Sequence, residues 1–169
     1  MAHVTLILGG ARSGKSTHAL HLAGEPPHIM IATAEAFDDE MAARIALHRA
    51  ERGDSWQVVE EPLELAGAVT THGRDGTILL IDCLTLWLSN IMHAERNCAE
   101  EAERLAEALR AAPGKIVVVS NEVGMGLAPD NALGRAFRDE QGRLNQRIAA
   151  MADKVAFVAA GLPLTLKGS

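Results

Sequence analysis

Aromatic residues and clustered positive charge are both scarce in this chain of 169 residues. Aromatic side chains make up 3% of the chain and tyrosine is absent, so a surface that stacks on nucleic-acid bases is not expected. The 16 lysines and arginines are scattered along a chain whose net charge is −6, which argues against binding to nucleic acid or to an anionic membrane. The composition therefore predicts no nucleic-acid partner.

Cysteine and long apolar stretches are scarce as well. Cys83 and Cys98 have neither metal-ligand spacing nor the number that a disulfide framework needs, and Cys83 is predicted to be a small buried residue. The longest apolar stretch, 78–92, is interrupted by polar residues, so no integral membrane span is expected. Because the first apolar segment is also too short for a signal peptide, we expect a cytoplasmic protein.

One motif near the start of the chain predicts binding of a nucleoside triphosphate. It matches the pattern G-x-x-x-x-G-K-S in full and lies between a predicted strand and a predicted helix; its residues are Gly9, Gly10, Ala11, Arg12, Ser13, Gly14, Lys15 and Ser16. In such a loop the glycines let backbone N–H groups point at phosphate oxygens. The lysine meets the β- and γ-phosphates, and the serine hydroxyl binds Mg²⁺. We therefore predict that Lys15 is catalytic and that Ser16 is a metal ligand.

Apolar, β-branched runs alternate with helical patterns along the chain. This alternation predicts an α/β fold, the three-layer P-loop NTPase fold with a mostly parallel sheet, as a single domain over residues 1–169. Strands are predicted at 4–8, 29–32, 57–59, 77–81, 115–120 and 155–159. Helices are predicted near 16–23, 38–52, 63–70, 95–111 and 131–153. Asp130 or Asn131 is expected to cap the last helix.

Ligands of such sheets gather at the carboxyl ends of the strands, so residues that follow a strand are candidates for the site. Asp82 follows a continuous apolar strand and is predicted to hold Mg²⁺ opposite Ser16, the alternative being a surface turn residue. Asn121 and Glu122 follow the strand at 115–120 and precede a glycine-containing loop. That loop has the character of a turn that faces a substrate.

The helix predicted at 38–52 carries the most informative histidine. On a helical wheel, one of its faces holds Met41, Arg44, Ile45, His48 and Arg52. Arginines four residues before and after the histidine would attract a polyphosphate and disfavour protonation of the ring, which keeps the imidazole neutral and nucleophilic. The spacing alone also fits an ordinary surface histidine, since six other histidines are present.

Four motifs together make the chain resemble a known enzyme family. They are GGARSGKS at 9–16, ATAE at 32–35 with DDEMAARI and HR at 38–49, NEVGMG at 121–126, and FRD with GRLNQR at 137–147. With them the chain resembles the bifunctional adenosylcobinamide kinase/adenosylcobinamide-phosphate guanylyltransferase family of adenosylcobalamin (vitamin B12) biosynthesis. The resemblance runs nearly end to end, whereas the phosphate loop alone would identify only a superfamily.

The resemblance implies two reactions. A nucleoside triphosphate, ATP or GTP, phosphorylates the aminopropanol hydroxyl of adenosylcobinamide. GTP then transfers GMP to adenosylcobinamide phosphate and releases pyrophosphate, with Mg²⁺ as the metal ion. The family carries GMP on a histidine, and the matching position is His48. Nucleotide contacts are implied at Gly9–Ser16, Thr33, Ala34, Glu35, Ala50, Glu51, Arg52, Gly53, Glu61 and Asp82.

The resemblance also bears on the acceptor and on assembly. Glu122 is a candidate to orient the cobinamide hydroxyl or to accept its proton. Members of the family assemble as trimers, so a homo-oligomer is expected. Two other functions stay open at this point. One is a small-molecule kinase that gives His48 no covalent role. The other is a nucleotide-switch or assembly ATPase, against which the lack of a basic partner surface argues.

Overall fold

One sheet contains all seven strands of the described residues in the computed structural model. In chain order they are β1 (His3–Gly9), β2 (His28–Ala32), β3 (Trp56–Glu60), β4 (Ile78–Asp82), β5 (Lys115–Asn121), β6 (Lys154–Ala159) and β7 (Leu162–Lys167). Their order across the sheet is β3-β2-β4-β5-β1-β6-β7, and every neighbouring pair is parallel except β6 and β7. The described part of the chain contains six helices, which connect the strands: α1 (Lys15–Ala23), α2 (Asp39–Arg52), α3 (Leu65–His72), α4 (Leu84–His93), α5 (Cys98–Ala111) and α6 (Ala132–Met151).

The structure describes residues 3–25, 27–35, 39–52 and 55–168. Within these ranges only the backbone is described for His3, Met41, Arg44, Ile45, His48, Arg49, Glu51 and Arg52. Four predicted site residues are affected. Gly53 and the side chains of His48, Glu51 and Arg52 lie outside the described part of the chain.

Both faces of the sheet are covered, because its central strands are apolar on both sides. Residues 116–119 of β5 are all buried, as the unbroken apolar run predicts for a central parallel strand. On one face the strands pack against α3, α4, α5 and α6, with Trp87, Leu105 and Ile148 in the same cluster. On the other face Ile7, Met30, Leu80, Val117 and Val119 pack with Ala19 of α1. The predicted three-layer α/β fold is confirmed.

Side-chain caps begin the two long helices of the second half. The Asn131 side chain accepts a hydrogen bond from the Gly134 N–H at 2.7 Å, so of the two predicted caps Asn131 is the one used. Asn97 caps α5 in the same way, accepting from the Glu100 N–H at 3.1 Å. The first turn of α5 also contains Glu100 and Glu101, which suits the positive end of a helix.

Two elements differ from the sequence-based prediction. Helix α4 is short and mostly buried, with Leu84, Trp87, Leu88 and Ile91 in the core, and it continues directly from an apolar strand. Strand β7 is exposed along its whole length and returns antiparallel through a tight turn, in which Ala160 and Gly161 have φ of 52° and 75°. Two positive φ values suit a two-residue hairpin, but Ala-Gly is a weaker sequence signal than Asn-Gly.

No helix in the described ranges is both long enough and apolar enough to cross a bilayer. This agrees with the prediction made for the stretch 78–92. The first five residues of that stretch belong to β4, and all residues after Cys83 belong to α4.

Candidate active site

The phosphate loop connects β1 to α1, as the motif predicts. Strand β1 ends at Gly9 and α1 begins at Lys15, with the Gly14 carbonyl accepting the first helical hydrogen bond from the His18 N–H at 3.0 Å. Arg12 and Gly14 have positive φ, 53° and 93°. This left-handed backbone turns the loop around the helix N-terminus, where N–H groups and the helix dipole favour an anion.

Two loop glycines are required by close packing. A Cβ on Gly9 would lie 2.5 Å from the Ser13 Oγ and 2.7 Å from the Val158 carbonyl oxygen. A Cβ on Gly14 would lie 2.9 Å from the Cα of Gly161. The Gly161 N–H also donates to the Ser13 carbonyl at 2.7 Å, so the turn between β6 and β7 packs against the phosphate loop and is hydrogen-bonded to it. Sequence reasoning missed this support because it did not predict β7.

Lys15 is buried under its own loop. Its ammonium donates to the Gly10 carbonyl at 3.0 Å. Burial lowers the pKa of Lys15, while the neighbouring Cys83 and Asp82 act in the opposite direction. Burial also raises the pKa of the Cys83 thiol, to about 11, so the thiol stays protonated at neutral pH. The end of β4 is therefore close enough to Lys15 to influence its charge.

Asp82 lies on the face of the sheet that α1 covers. Side chains alternate along a strand, so Asp82 shares a face with Leu80, which packs with Ala19 of α1. Ser16, in the first turn of α1, is exposed. The hydroxyl and the carboxylate are hard oxygen ligands of the kind that Mg²⁺ prefers. The described residues contain no group of three or more His, Cys, Asp or Glu that could hold a metal ion.

Thr33 has a structural task that the sequence did not reveal. The residue is fully buried, and its hydroxyl donates to the Cys83 carbonyl at 2.6 Å and accepts from the Cys83 N–H at 3.0 Å. Its own N–H donates to the Asp82 carbonyl at 3.1 Å, and its carbonyl accepts from the Asn90 side chain at 2.8 Å. Thr33 thus fastens the end of β2 to the segment that carries Asp82.

Asn121 is a candidate site residue that sequence reasoning noted only as a polar group. Strand β5 lies between β1 and β4, and Asn121 is in register with Gly9, two positions beyond Val119, the partner of Asp82. The alternation that places Val119 on the α1 face places Asn121 there too. Asn121 therefore stands between the phosphate loop and Asp82, and only the strand order could show this.

A buried polar cluster fixes the backbone of Asn121. Its N–H donates to the Thr85 hydroxyl at 2.9 Å, and its carbonyl accepts from the Asn145 side chain at 3.0 Å. Asn145 is held by the Ser120 hydroxyl at 2.6 Å and by the Gln141 amide at 2.9 Å. Buried amides with this many hydrogen bonds are rigid, so Asn121 is placed by groups from α4 and α6.

The remaining predicted contacts form a second group at the ends of β2 and β3. Ala34 and Glu35 follow β2 and are partly exposed, and the Glu61 N–H donates to the Ala32 carbonyl at 3.0 Å. Since β2 and β3 lie three and four strands from β1, the strand ends that carry this group are roughly 14 and 19 Å from the end of β1 at ~4.8 Å per strand.

Helix α2 connects β2 to β3 and belongs to this second group. Its described side chains are all exposed: Asp39, Glu40, Ala42, Ala43, Ala46, Leu47 and Ala50. Glu61 lies near Arg96. Arg96 donates a hydrogen bond to the Glu64 carboxylate, and this bond, with the charges of Glu64, Glu101 and Glu61, raises the pKa of Arg96. The charge of Glu61 is therefore felt by a cation of the protein.

A mostly parallel sheet, a phosphate loop after its first strand and an acidic residue at the end of β4 define a P-loop nucleotide-binding protein. Solved structures share this fold. A protein from Pyrococcus horikoshii OT3 superimposes with a TM-score of 0.61 at 8% identity, covering 98% of this chain and 86% of that one. The flagellar accessory protein FlaH from Methanocaldococcus jannaschii gives 0.53 at 12% identity, covering 99% of this chain and 79% of that one.

Sequence comparison identifies the family. Residues 5–166 match the family model of cobinamide kinase / cobinamide phosphate guanyltransferase. The bifunctional adenosylcobalamin biosynthesis protein CobP of Pseudomonas aeruginosa is 48% identical over 167 residues, 96% of each chain. CobU of Salmonella typhimurium is 40% identical over 178 residues, covering 96% of this chain and 98% of the relative. The chain belongs to the cobinamide kinase / cobinamide phosphate guanyltransferase family.

Membership confirms the enzyme that the motifs predicted. The protein is an adenosylcobinamide kinase and adenosylcobinamide-phosphate guanylyltransferase of adenosylcobalamin biosynthesis, a transferase with nucleotide substrates. The two alternatives, a kinase without guanylyl transfer and a nucleotide-switch ATPase, are set aside.

Proposed function

We propose that the protein performs its two transfers with two groups of residues along the carboxyl edge of the sheet. The observation that supports this division is their separation. The phosphate loop follows β1, and Asp82 and Asn121 end the neighbouring strands β4 and β5. Glu35 and helix α2 follow β2, and Glu61 follows β3. The first group suits transfer of the γ-phosphate, and the second suits the guanylyl step.

In the kinase step the first group binds the triphosphate of ATP or GTP. Lys15 exchanges its contact with the Gly10 carbonyl for the β- and γ-phosphates, since an ammonium gains more from an anion than from a neutral carbonyl. The acceptor hydroxyl attacks the γ-phosphorus, the bond to the β,γ-bridging oxygen breaks, and the hydroxyl proton leaves to a base. Glu122 is our candidate for that base, since it follows Asn121 directly at the end of β5.

Mg²⁺ is the metal ion that we propose for this site, held by Ser16 and Asp82 together with phosphate oxygens. When bound, it neutralises the charge of the polyphosphate and of the leaving group.

In the guanylyl step we propose His48 as the nucleophile, on the resemblance of its motif. A neutral imidazole nitrogen attacks the α-phosphorus of GTP, and pyrophosphate leaves as the P–O bond breaks. A phosphate oxygen of adenosylcobinamide phosphate then attacks the same phosphorus and breaks the N–P bond, which returns the histidine and forms adenosylcobinamide-GDP. Residues 50–53, Thr33, Ala34, Glu35 and Glu61 are the nucleotide contacts proposed around it.

Incubation with GTP labelled at the α-phosphate, followed by denaturing electrophoresis, tests the division. Wild-type protein should retain label that survives base and is released by acid, as a phosphoramidate is. His48→Ala should retain none and still phosphorylate adenosylcobinamide. The matched control is His72→Ala, a histidine at the end of α3 close to where β4 begins, which should label normally.

A complementary variant is Lys15→Ala, which should lose about 10²–10³ of the kinase rate because it lacks one charged contact with the transferred group. Label that persists in His48→Ala would place the nucleophile elsewhere. Near-normal kinase turnover in Lys15→Ala would show that the phosphate loop does not take part in transfer of the γ-phosphate.

We also propose a cytoplasmic location and a homo-oligomeric assembly, a trimer as in the family that the sequence resembles. Both rest on the composition and the resemblance given above.

A further inference from the structure

The loop that follows β5 is uncharged and carries exposed apolar side chains. Residues 123–129 read Val-Gly-Met-Gly-Leu-Ala-Pro. Met125 is 80% exposed and Leu127 is 99% exposed. The two large apolar side chains are two residues apart, so one short loop presents both of them to solvent.

This loop is fixed beside the phosphate loop. The Glu122 N–H donates to the Gly9 carbonyl at 2.9 Å, which joins the first residue after β5 to the last residue of β1. The Glu122 carboxylate accepts from the Gly124 N–H, and Arg135 donates to the Pro129 carbonyl at 2.9 Å. Both ends of the loop are therefore held by hydrogen bonds.

Chain length limits how far the apolar side chains can lie from the phosphates. Leu127 is five positions after Glu122, and an extended chain rises at most ~3.6 Å per residue, so the Cα atoms of the two residues are at most about 18 Å apart. The acceptor hydroxyl must meet the γ-phosphate at the phosphate loop, and it is joined by a short arm to the macrocycle. The macrocycle must then lie beside the ends of β1 and β5, within reach of this loop.

We propose that the loop 123–127 is the surface on which the corrin macrocycle of adenosylcobinamide rests. The macrocycle offers methyl groups and uncharged amide side chains at its edge. Met125 and Leu127 suit the methyl groups, and the backbone of the glycine-containing loop can pair with the amides. The proposal rests on the kinase activity, and it assigns a binding surface to the acceptor of that reaction, adenosylcobinamide.

An apolar cavity in the described part of the chain is a less suitable binding place for the macrocycle than this loop. It lies between α4, α5 and α6, with Trp87 and Leu144 in its lining, and has a volume of about 240 Å³. Pockets for drug-sized ligands begin at ~300 Å³, and a corrin is larger than such ligands. Ion pairs of Arg147 with Glu103 and of Arg143 with Glu140 lie at this cavity.

The test compares the double variant M125S/L127S with the matched control Leu162→Ser. Leu162 is 72% exposed and also lies near the phosphate loop, but it follows Gly161 on the side of β7. Losing two apolar contacts should raise the KM for adenosylcobinamide by about 10- to 100-fold. The KM for GTP and the labelling of protein by α-labelled GTP should stay within twofold of wild type. Equilibrium dialysis with adenosylcobinamide alone should show the same loss of affinity.

Three results would overturn the proposal. The first is an unchanged KM for adenosylcobinamide in the double variant. The second is a rise of that KM in Leu162→Ser alone, which would place the macrocycle beside β7. The third is a change of oligomeric state in the double variant, by light scattering, without a change of KM, which would make the loop a contact between copies of the chain. If wild-type protein does not phosphorylate adenosylcobinamide, the result refutes the kinase activity itself and not the position of the macrocycle.

Discussion

Replacing Thr33 by valine separates two roles for this residue. The sequence resemblance implies a nucleotide contact, whereas the structure shows a hydroxyl that already has two partners in the protein. Valine has nearly the same shape, so the change removes the hydroxyl and little else. Thr33→Ser is the matched control, because serine keeps the hydroxyl and loses one methyl group.

The expected cost follows from the groups that valine would leave behind. The Cys83 N–H would lose its partner in a buried place, which costs about 1–3 kcal/mol, and one hydrogen bond to the Cys83 carbonyl, worth about 1 kcal/mol, would be lost. The Cys83 carbonyl still accepts a hydrogen bond from the Trp87 N–H at 3.3 Å, so it keeps a partner in the variant. We expect Thr33→Val to lose about 2–4 kcal/mol, and Thr33→Ser about 1 kcal/mol for its methyl group.

Thermal unfolding and steady-state kinetics together measure the effect. For a chain of this length each kcal/mol lowers the Tm by ~2–4 °C, so Thr33→Val should lose about 4–16 °C and Thr33→Ser about 2–4 °C. The KM for GTP should change little in either variant, while kcat falls in Thr33→Val because Asp82 is less firmly held. An unchanged Tm with a raised KM for GTP in Thr33→Val would refute the structural role and favour direct contact with the nucleotide.

Two further predictions concern the phosphate site. Gly14→Ala should lower the stability by about 1–2 kcal/mol, because alanine is strained at φ 93° and its Cβ would meet Gly161 at 2.9 Å; Gly10→Ala, where a Cβ meets nothing within 4 Å, should unfold like wild type. Equal Tm values for these two variants would contradict the packing argument. Asn121→Ala should lower kcat for the kinase step by about 10- to 100-fold with an unchanged Tm, because its side chain stands between the phosphate loop and Asp82 while Asn145 holds only its backbone. A normal kcat in this variant would show that the side chain does not reach the transferred group.

Short-range patterns made the phosphate loop and most of the fold predictable. The loop requires glycines, a lysine and a serine within eight residues, and each requirement is met by neighbours in sequence. The strands around Ile81 and Val118 were predictable because a short unbroken apolar run is typical of a central parallel strand that is buried on both faces. The family was predictable from four motifs spread along the chain. These conclusions needed no knowledge of which strands are neighbours.

The sequence could not give the hairpin of β6 and β7 or the helix α4. The turn at Ala160 and Gly161 lacks the usual residues of a two-residue hairpin, and β7 is exposed on both faces, so no core pattern marks it. Helix α4 continues an apolar strand, so its pattern merges with that of β4. Both elements nevertheless shape the site. Gly161 supports the phosphate loop, and Thr85 of α4 holds Asn121.

By itself the sequence determined the nucleotide chemistry, the fold class and the family, because each of these is carried by patterns that are local in the chain, the family by four such motifs together. The tertiary structure alone decided which polar residues meet. Thr33 and Cys83 are 50 residues apart, and Asn121 comes to lie between Gly9 and Asp82 only because β5 is placed between β1 and β4. Strand order depends on how both faces of the sheet are buried along the whole chain, and no local pattern specifies it.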